Sequence, residues 1–233
     1  MKVLFIGNSH TFFHDMPKTF SEMIEAASGE PAEVTMLAYG GRSLIWHSDE
    51  YFAVRFALMY GGFDLCVIQQ QAHPFPGYEE TEKGLRTIAE ICGANGVKPL
   101  LYMPWAEKRF PENQEKICSA FEKLSAEFGI PVAPVGLVWK EMLKVHPEID
   151  LFYTDGEHAS PVGDWLIAYT LACCALGRSD FDPPRGARNF ANGMTSIDME
   201  HLRLVEKSAD TAITISERTA GAVTEAVRKV LGF

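Results

Sequence analysis

The chain has 233 residues, 47% of them hydrophobic and 22% charged, and its 31 acidic against 21 basic side chains leave a formal net charge of −10. That mix supplies an ordinary globular core and excludes extended disorder, and the length suits one large domain better than two small ones. The negative field repels phosphate backbones and anionic headgroups, so neither nucleic acid nor a membrane surface is an expected partner.

In chain order, the apolar run over 3–6 predicts a first buried strand, followed by a polar turn and a helix over 16–27. Asp15 can cap that helix and Pro17 suits its first turn. A second strand over 33–38 ends at Tyr39-Gly40-Gly41, and a helix over 51–59 stops at Gly61-Gly62. A third strand over 65–68 runs into Gln69-Gln70-Gln71 and the Pro-rich loop over 73–77. A helix over 79–92 leads to a fourth strand over 99–103, then Pro104-Trp105-Ala106. The helix over 112–128 is closed by Gly129, and a fifth strand over 130–135 carries Pro131 and Pro134, which place it at an edge or shorten it. Helices over 136–145 and 161–176 follow. A stretch over 179–193 rich in Pro, Gly, Arg and Asn then precedes a C-terminal tail over 197–231, read as helical. Five strand–helix alternations predict an α/β fold, a five-stranded parallel sheet with helices on both faces. Residues 1–180 form its body, with 181–233 as a loop and helices packed on the same domain.

The five cysteines, Cys66, Cys92, Cys118, Cys173 and Cys174, are odd in number, sit among apolar neighbours and lack metal-ligand spacing. They read as free thiols of a reducing compartment. No stretch reaches the ~18 apolar residues of a membrane span. The opening apolar run is too short for the core of a signal peptide, so the expected location is cytoplasmic.

In an open parallel sheet, ligands bind beyond the carboxyl ends of the strands. The loops there hold Gly7-Asn8-Ser9-His10, Tyr39-Gly40-Gly41-Arg42 and Gln69 to His73, and Asp155-Gly156-Glu157-His158 precedes the last long helix of the body. Ester cleavage needs an activated hydroxyl, a base, a group that orients the base, and donors for the oxyanion. Ser9 supplies the hydroxyl at the end of a strand, His158 the base, and Asp155, three residues before it, the orienting carboxylate. The N–H groups of Ser9 and of Gly40 or Gly41 are candidate oxyanion donors. A side-chain amide after the third strand is another, and alternation puts Gln69 and Gln71 on one side and Gln70 on the other.

These four segments, in this order and spacing, resemble the four blocks of the SGNH (GDSL-like) hydrolases. The resemblance covers most of residues 1–180 and is most specific in Gly7-Asn8-Ser9 and Asp155-x-x-His158. It implies a three-layer α/β/α flavodoxin-like fold, Ser9 as nucleophile, His158 as base, Asp155 as its orienting acid, and a glycine donor at Gly40 or Gly41. Two departures stand out. The usual Gly-Asp-Ser is Gly-Asn-Ser, and the third block, usually Gly-x-Asn-Asp, is Gln-rich, similar to some carbohydrate-acetylesterase branches. Either Gln69 or Gln71 then takes the place of the asparagine donor. The implied activity is carboxylic ester hydrolysis without metal or organic cofactor, on acetyl groups that sugars can carry or on other small acyl esters or thioesters. The missing asparagine leaves a second reading, a non-catalytic carbohydrate- or ligand-binding protein on the same fold.

Around this constellation, Asn8, His10, Tyr39, His73 and Trp105 are candidate substrate contacts, Trp105 as a stacking platform for a sugar ring. His10 and His14 are spaced for a metal only if helical, and no third ligand is evident, so no metal is expected.

Overall fold

In the computed structural model, the described residues are 1–188 and 212–233 together with two three-residue strands between them. The body opens with β1 (Lys2–Gly7), a short α1 (Ser9–Phe12), one 3-10 turn (Phe13–Asp15) and α2 (Met16–Ser28). Then come β2 (Glu33–Ala38), α3 (Leu44–Asp49), α4 (Tyr51–Tyr60), β3 (Leu65–Gln69) and α5 (Tyr78–Ala94). It continues through β4 (Lys98–Tyr102), α6 (Asn113–Phe128), β5 (Val132–Ala133), α7 (Val135–Val145) and α8 (Pro161–Leu176).

The five strands pair in parallel in the order β2-β1-β3-β4-β5. Strand alternation divides the interior in two. Val3, Phe5, Val67, Leu100 and Tyr102 face one apolar layer, which α2, α7 and α8 complete with Phe20, Trp139 and Leu166. Leu4, Ile6, Cys66, Ile68 and Leu101 face the other, against Leu58, Leu85 and Phe121 of α4, α5 and α6. Runs buried on both faces explain why β1 and β3 read as continuous apolar stretches in the sequence. The fold is therefore the expected three-layer α/β/α sandwich.

Several boundaries differ from the sequence reading. β5 is two residues long, because Pro131 and Pro134 flank it and lack the N–H a longer ladder needs. α1 and α3 were not anticipated; both are short, and each is capped by a side chain, Asn8 and Ser43. Asp15 stands at the cap position of α2 in left-handed backbone (φ 56°), and its side chain makes no capping bond there. The tail is helical only over α9 (Glu217–Leu231), which Ser216 caps. Ahead of it, β6 (Gly186–Arg188) pairs antiparallel with β9 (Ala212–Thr214), and β7 (Ser196–Asp198) with β8 (Arg203–Val205). A helix spanning 197–231 is thus replaced by two antiparallel pairings and one helix. α9 buries Ala220, Val223 and Val227 in the same apolar layer as α7 and α8. All five cysteines are free. Among the described residues no helix is long and apolar enough to cross a membrane.

The chain leaves β1 for β2 on one side and later places β3 on the other. That reversal opens a crevice beyond the carboxyl ends of β1 and β3, and Gly7-Asn8-Ser9 and Gln69-Gln70-Gln71 both lie there.

Candidate active site

The turn that carries Ser9 is clamped from several directions. Gly7 makes room for its neighbours, because a Cβ there would overlap Gln69 Oε1 and Thr11 Oγ1 and force one of them to shift. Gln69 Oε1 accepts the Asn8 N–H (2.8 Å) and the Thr11 hydroxyl (3.0 Å), tying β3 to the turn. Asn8 is extended (φ −136°), and its Oδ1 accepts the His10 N–H at 3.1 Å, the usual capping geometry for the first turn of α1. Its Nδ2 donates to the Arg42 carbonyl (3.1 Å), which fixes the loop after β2. His47 of α3 donates to the Gly7 carbonyl at 2.8 Å. Burial lowers its pKa, partly offset by that carbonyl. Ser9 is therefore the first residue of a helix on an immobilised corner.

His158 sits on a loop closed by its own backbone. Tyr153 N–H donates to the His158 carbonyl (2.8 Å) and Gly156 N–H to the Tyr153 carbonyl (2.9 Å), with Gly156 at φ 73°, where glycine fits without strain. Asp155 Oδ1 accepts the N–H groups of Glu157 (2.8 Å) and His158 (2.9 Å). Trp105 Nε1 donates to the Glu157 carbonyl (3.0 Å), and Ser160 caps α8 by accepting the Gly163 N–H (3.1 Å). The loop is held at both ends.

These two supports bring residues 149 positions apart into contact: His158 Nε2 lies 2.8 Å from Ser9 Oγ, and His158 Nδ1 lies 2.7 Å from Asp155 Oδ2. A carboxylate on Nδ1 requires the proton there, leaving the Nε2 lone pair for the Ser9 hydroxyl. The ring is gripped between Phe13 (centroids 4.0 Å, 11° between planes) and His10 (4.8 Å, 21°). Burial pushes the Asp155 carboxyl up, but the N–H groups of Glu157 and His158 and the His158 ring outweigh it, and its pKa lies below the ordinary value. The side chains of His158 and Asp155 remain 21% and 39% exposed, so the assembly is open to solvent.

Among the described residues, the N–H groups of Ser9, Gly40 and Gly41 make no hydrogen bond and remain available as donors. The three glutamines separate. Gln69 is committed to the turn and donates its Nε2 to the Gln70 carbonyl. Gln70 accepts the Leu44 (3.0 Å) and Gln71 (2.8 Å) N–H groups and donates to Thr81 (3.1 Å). The half-buried Gln71 side chain makes no hydrogen bond among the described residues.

Several expected substrate contacts take other roles. Trp105 is fully buried and stacks on Trp139 (4.2 Å, 6°), so it offers no face to a sugar; its indole instead anchors the His158 loop. Asn8, 1% exposed, is a cap and a tether. His10 and His73 lie behind the His158 ring rather than at the rim, and both are buried in side chain. Tyr39 is exposed, packed on Trp46 (5.0 Å). Phe13, which holds the His158 ring, was not anticipated; its place four residues after Ser9 was the one available hint. No group of three metal-ligating side chains occurs among the described residues.

No family model matches the chain, and no curated protein does. Its backbone is similar to solved structures. A DUF4886 family protein from Bacteroides uniformis is 17% identical with a TM-score of 0.70, covering 100% of this chain and 95% of that one. A putative GDSL-like lipase from Parabacteroides merdae is 16% identical with a TM-score of 0.59, covering 76% of this chain and 95% of that one. An acetylxylan esterase from Geobacillus stearothermophilus is 16% identical with a TM-score of 0.58, covering 78% and 94%. The fold of this chain is the one that GDSL-like lipolytic enzymes and acetylxylan esterases share.

Proposed function

We propose that the protein is a serine esterase that cleaves carboxylic esters through Ser9, His158 and Asp155. The observation that carries this reading is the contact of the His158 ring with Ser9 Oγ through one nitrogen and with Asp155 Oδ2 through the other, at 2.8 and 2.7 Å. Ser9 Oγ attacks the ester carbonyl carbon while His158 Nε2 takes its proton; the carbonyl π electrons move onto oxygen, for which the unengaged N–H groups of Ser9 and of Gly40 or Gly41 are the donors. Collapse expels the alcohol, which receives the proton from His158, and leaves an acyl group on Ser9. Water then attacks the acyl carbon under the same base and releases the acid. The free amide of Gln71 supports its role as the third oxyanion donor, in preference to Gln69. Each step uses only these side chains and backbone donors, without metal or organic cofactor.

For the substrate we infer a small acyl ester, with acetyl groups on sugars as the first class. The Gln-rich end of β3 and the likeness to an acetylxylan esterase support it. The test is hydrolysis of p-nitrophenyl acetate combined with labelling by a serine-reactive phosphonate. Turnover that Ser9→Ala abolishes, with the phosphonate on Ser9, is expected. Wild-type turnover no faster than that of Ser9→Ala would refute the reading.

A further inference from the structure

Behind the His158 ring, three polar contacts follow one another. Asn8 Oδ1 lies 3.2 Å from His10 Nδ1, His10 Nε2 lies 3.1 Å from His73 Nδ1, and His73 Nε2 lies 3.0 Å from the Trp105 carbonyl oxygen. Both ends of this line are acceptors. The Asn8 atom is an oxygen, because it accepts the His10 N–H while the amide nitrogen donates to Arg42. Each contact therefore needs one proton between its two atoms. Two neutral imidazoles bring one N–H each, one too few, and one close contact would then oppose two lone pairs. A third proton satisfies all three contacts and makes the pair a cation. Independently, Glu107 Oε2 lies 3.8 Å from His73 Nε2 on a side chain only 9% exposed. A carboxylate so buried is rarely found without a positive partner.

We propose that His10 and His73 share one proton across their Nε2–Nδ1 contact as a cationic pair balanced by Glu107, and that this pair is a positioning group that keeps the His158 ring neutral and proton-accepting toward acid pH. The second half rests on the esterase reading above. The His10 ring stacks on His158 with centroids 4.8 Å apart. A charge at that distance disfavours a second one on His158. The groups facing His10 are His73, His158 and the Glu157 carbonyl; those facing His73 are the Trp105 carbonyl, the carboxylates of Glu107 and Glu157, and His158. Glu157 is itself paired with Arg109 at 3.1 Å. Burial holds both rings below the ordinary histidine range, His10 furthest; against it work the Glu157 carbonyl at His10, and the Trp105 carbonyl and the carboxylates of Glu107 and Glu157 at His73. The third proton thus depends on the hydrogen-bonded line and on Glu107, and removing either releases it.

Ring nitrogen NMR on the Ser9→Ala protein at neutral pH reads the pair directly. His10 Nδ1 and His73 Nε2 should be fully protonated, with His10 Nε2 and His73 Nδ1 averaged between protonated and bare. A fully bare nitrogen on each ring would overturn the shared proton. The positioning role is read from the acid limb of kcat/KM for p-nitrophenyl acetate. In Glu107→Gln and in His73→Gln the limb should move up by about one pH unit, because His158 then protonates more readily. A lower kcat with an unmoved limb would reduce the pair to packing. Should the phosphonate fail to label Ser9, the esterase reading falls, while the nitrogen spectrum still decides the pair.

Discussion

Asp155 uses both of its oxygens. Oδ1 takes the N–H groups of Glu157 and His158, while Oδ2 takes the His158 ring. Asp155→Asn keeps the shape and changes the proton pattern, since an amide N–H facing Nδ1 turns the imidazole to the wrong tautomer. On the proposed esterase reading, its kcat on p-nitrophenyl acetate should fall on the order of 10³- to 10⁴-fold, with Ser9 and His158 still in place. The carboxyl's pKa is depressed from 3.8, so its contribution to stability is present above that value and is lost as pH falls through the lower folded value. Thermal melts of wild type and Asp155→Asn should therefore differ at pH 6 and converge as the pH drops below about 4. A constant gap over that range would contradict it. The meeting of Ser9, Asp155 and His158 was legible from residue type and spacing. The roles of Trp105 and Asn8 were not, because a rim position in the sequence says nothing of which way a side chain turns.

The corner between β1 and α1 shows how closely an element boundary can be set by one missing atom. Gly7 leaves room for Gln69 Oε1 and Thr11 Oγ1, which between them hold the Asn8 N–H and the start of α1. Gly7→Ala should displace Gln69 and the Ser9 turn together. The expected cost is about 1–3 kcal/mol in urea denaturation, with a drop in kcat/KM far beyond what that loss of stability accounts for. An alanine variant with wild-type kcat/KM would show that the corner relaxes freely. At this scale the buried strands were legible because period and burial agree over 3–6 and 65–68. The short helices α1 and α3 were not, because at four and six residues they rest on single caps and tertiary contacts rather than on a periodic apolar face.

Taken whole, the molecule closes its α7/α8 face with the end of its own chain. α9 sets Val223 and Val227, both fully buried, into that layer. Arg228 donates to the Ser179 carbonyl at 2.9 Å, and Lys229 pairs with Glu141 at 2.6 Å. Deleting 217–233 should expose this apolar face and cost on the order of 5 kcal/mol, comparable to the stability of a whole domain. The truncated chain should be insoluble or lose its cooperative urea transition. A soluble truncation with an unchanged midpoint would mean that α9 is only an appendage.

By itself the sequence determined the layer architecture, because strand and helix periods are local, and it singled out Ser9, Asp155 and His158 as the trio proposed for the chemistry, because such residues advertise themselves by type. Only the tertiary structure decided which glutamine is unengaged, that Trp105 is an anchor rather than a platform, and that His10 and His73 meet behind His158. Those facts depend on groups brought together from positions 63 and 149 residues apart, and no local pattern records such a meeting.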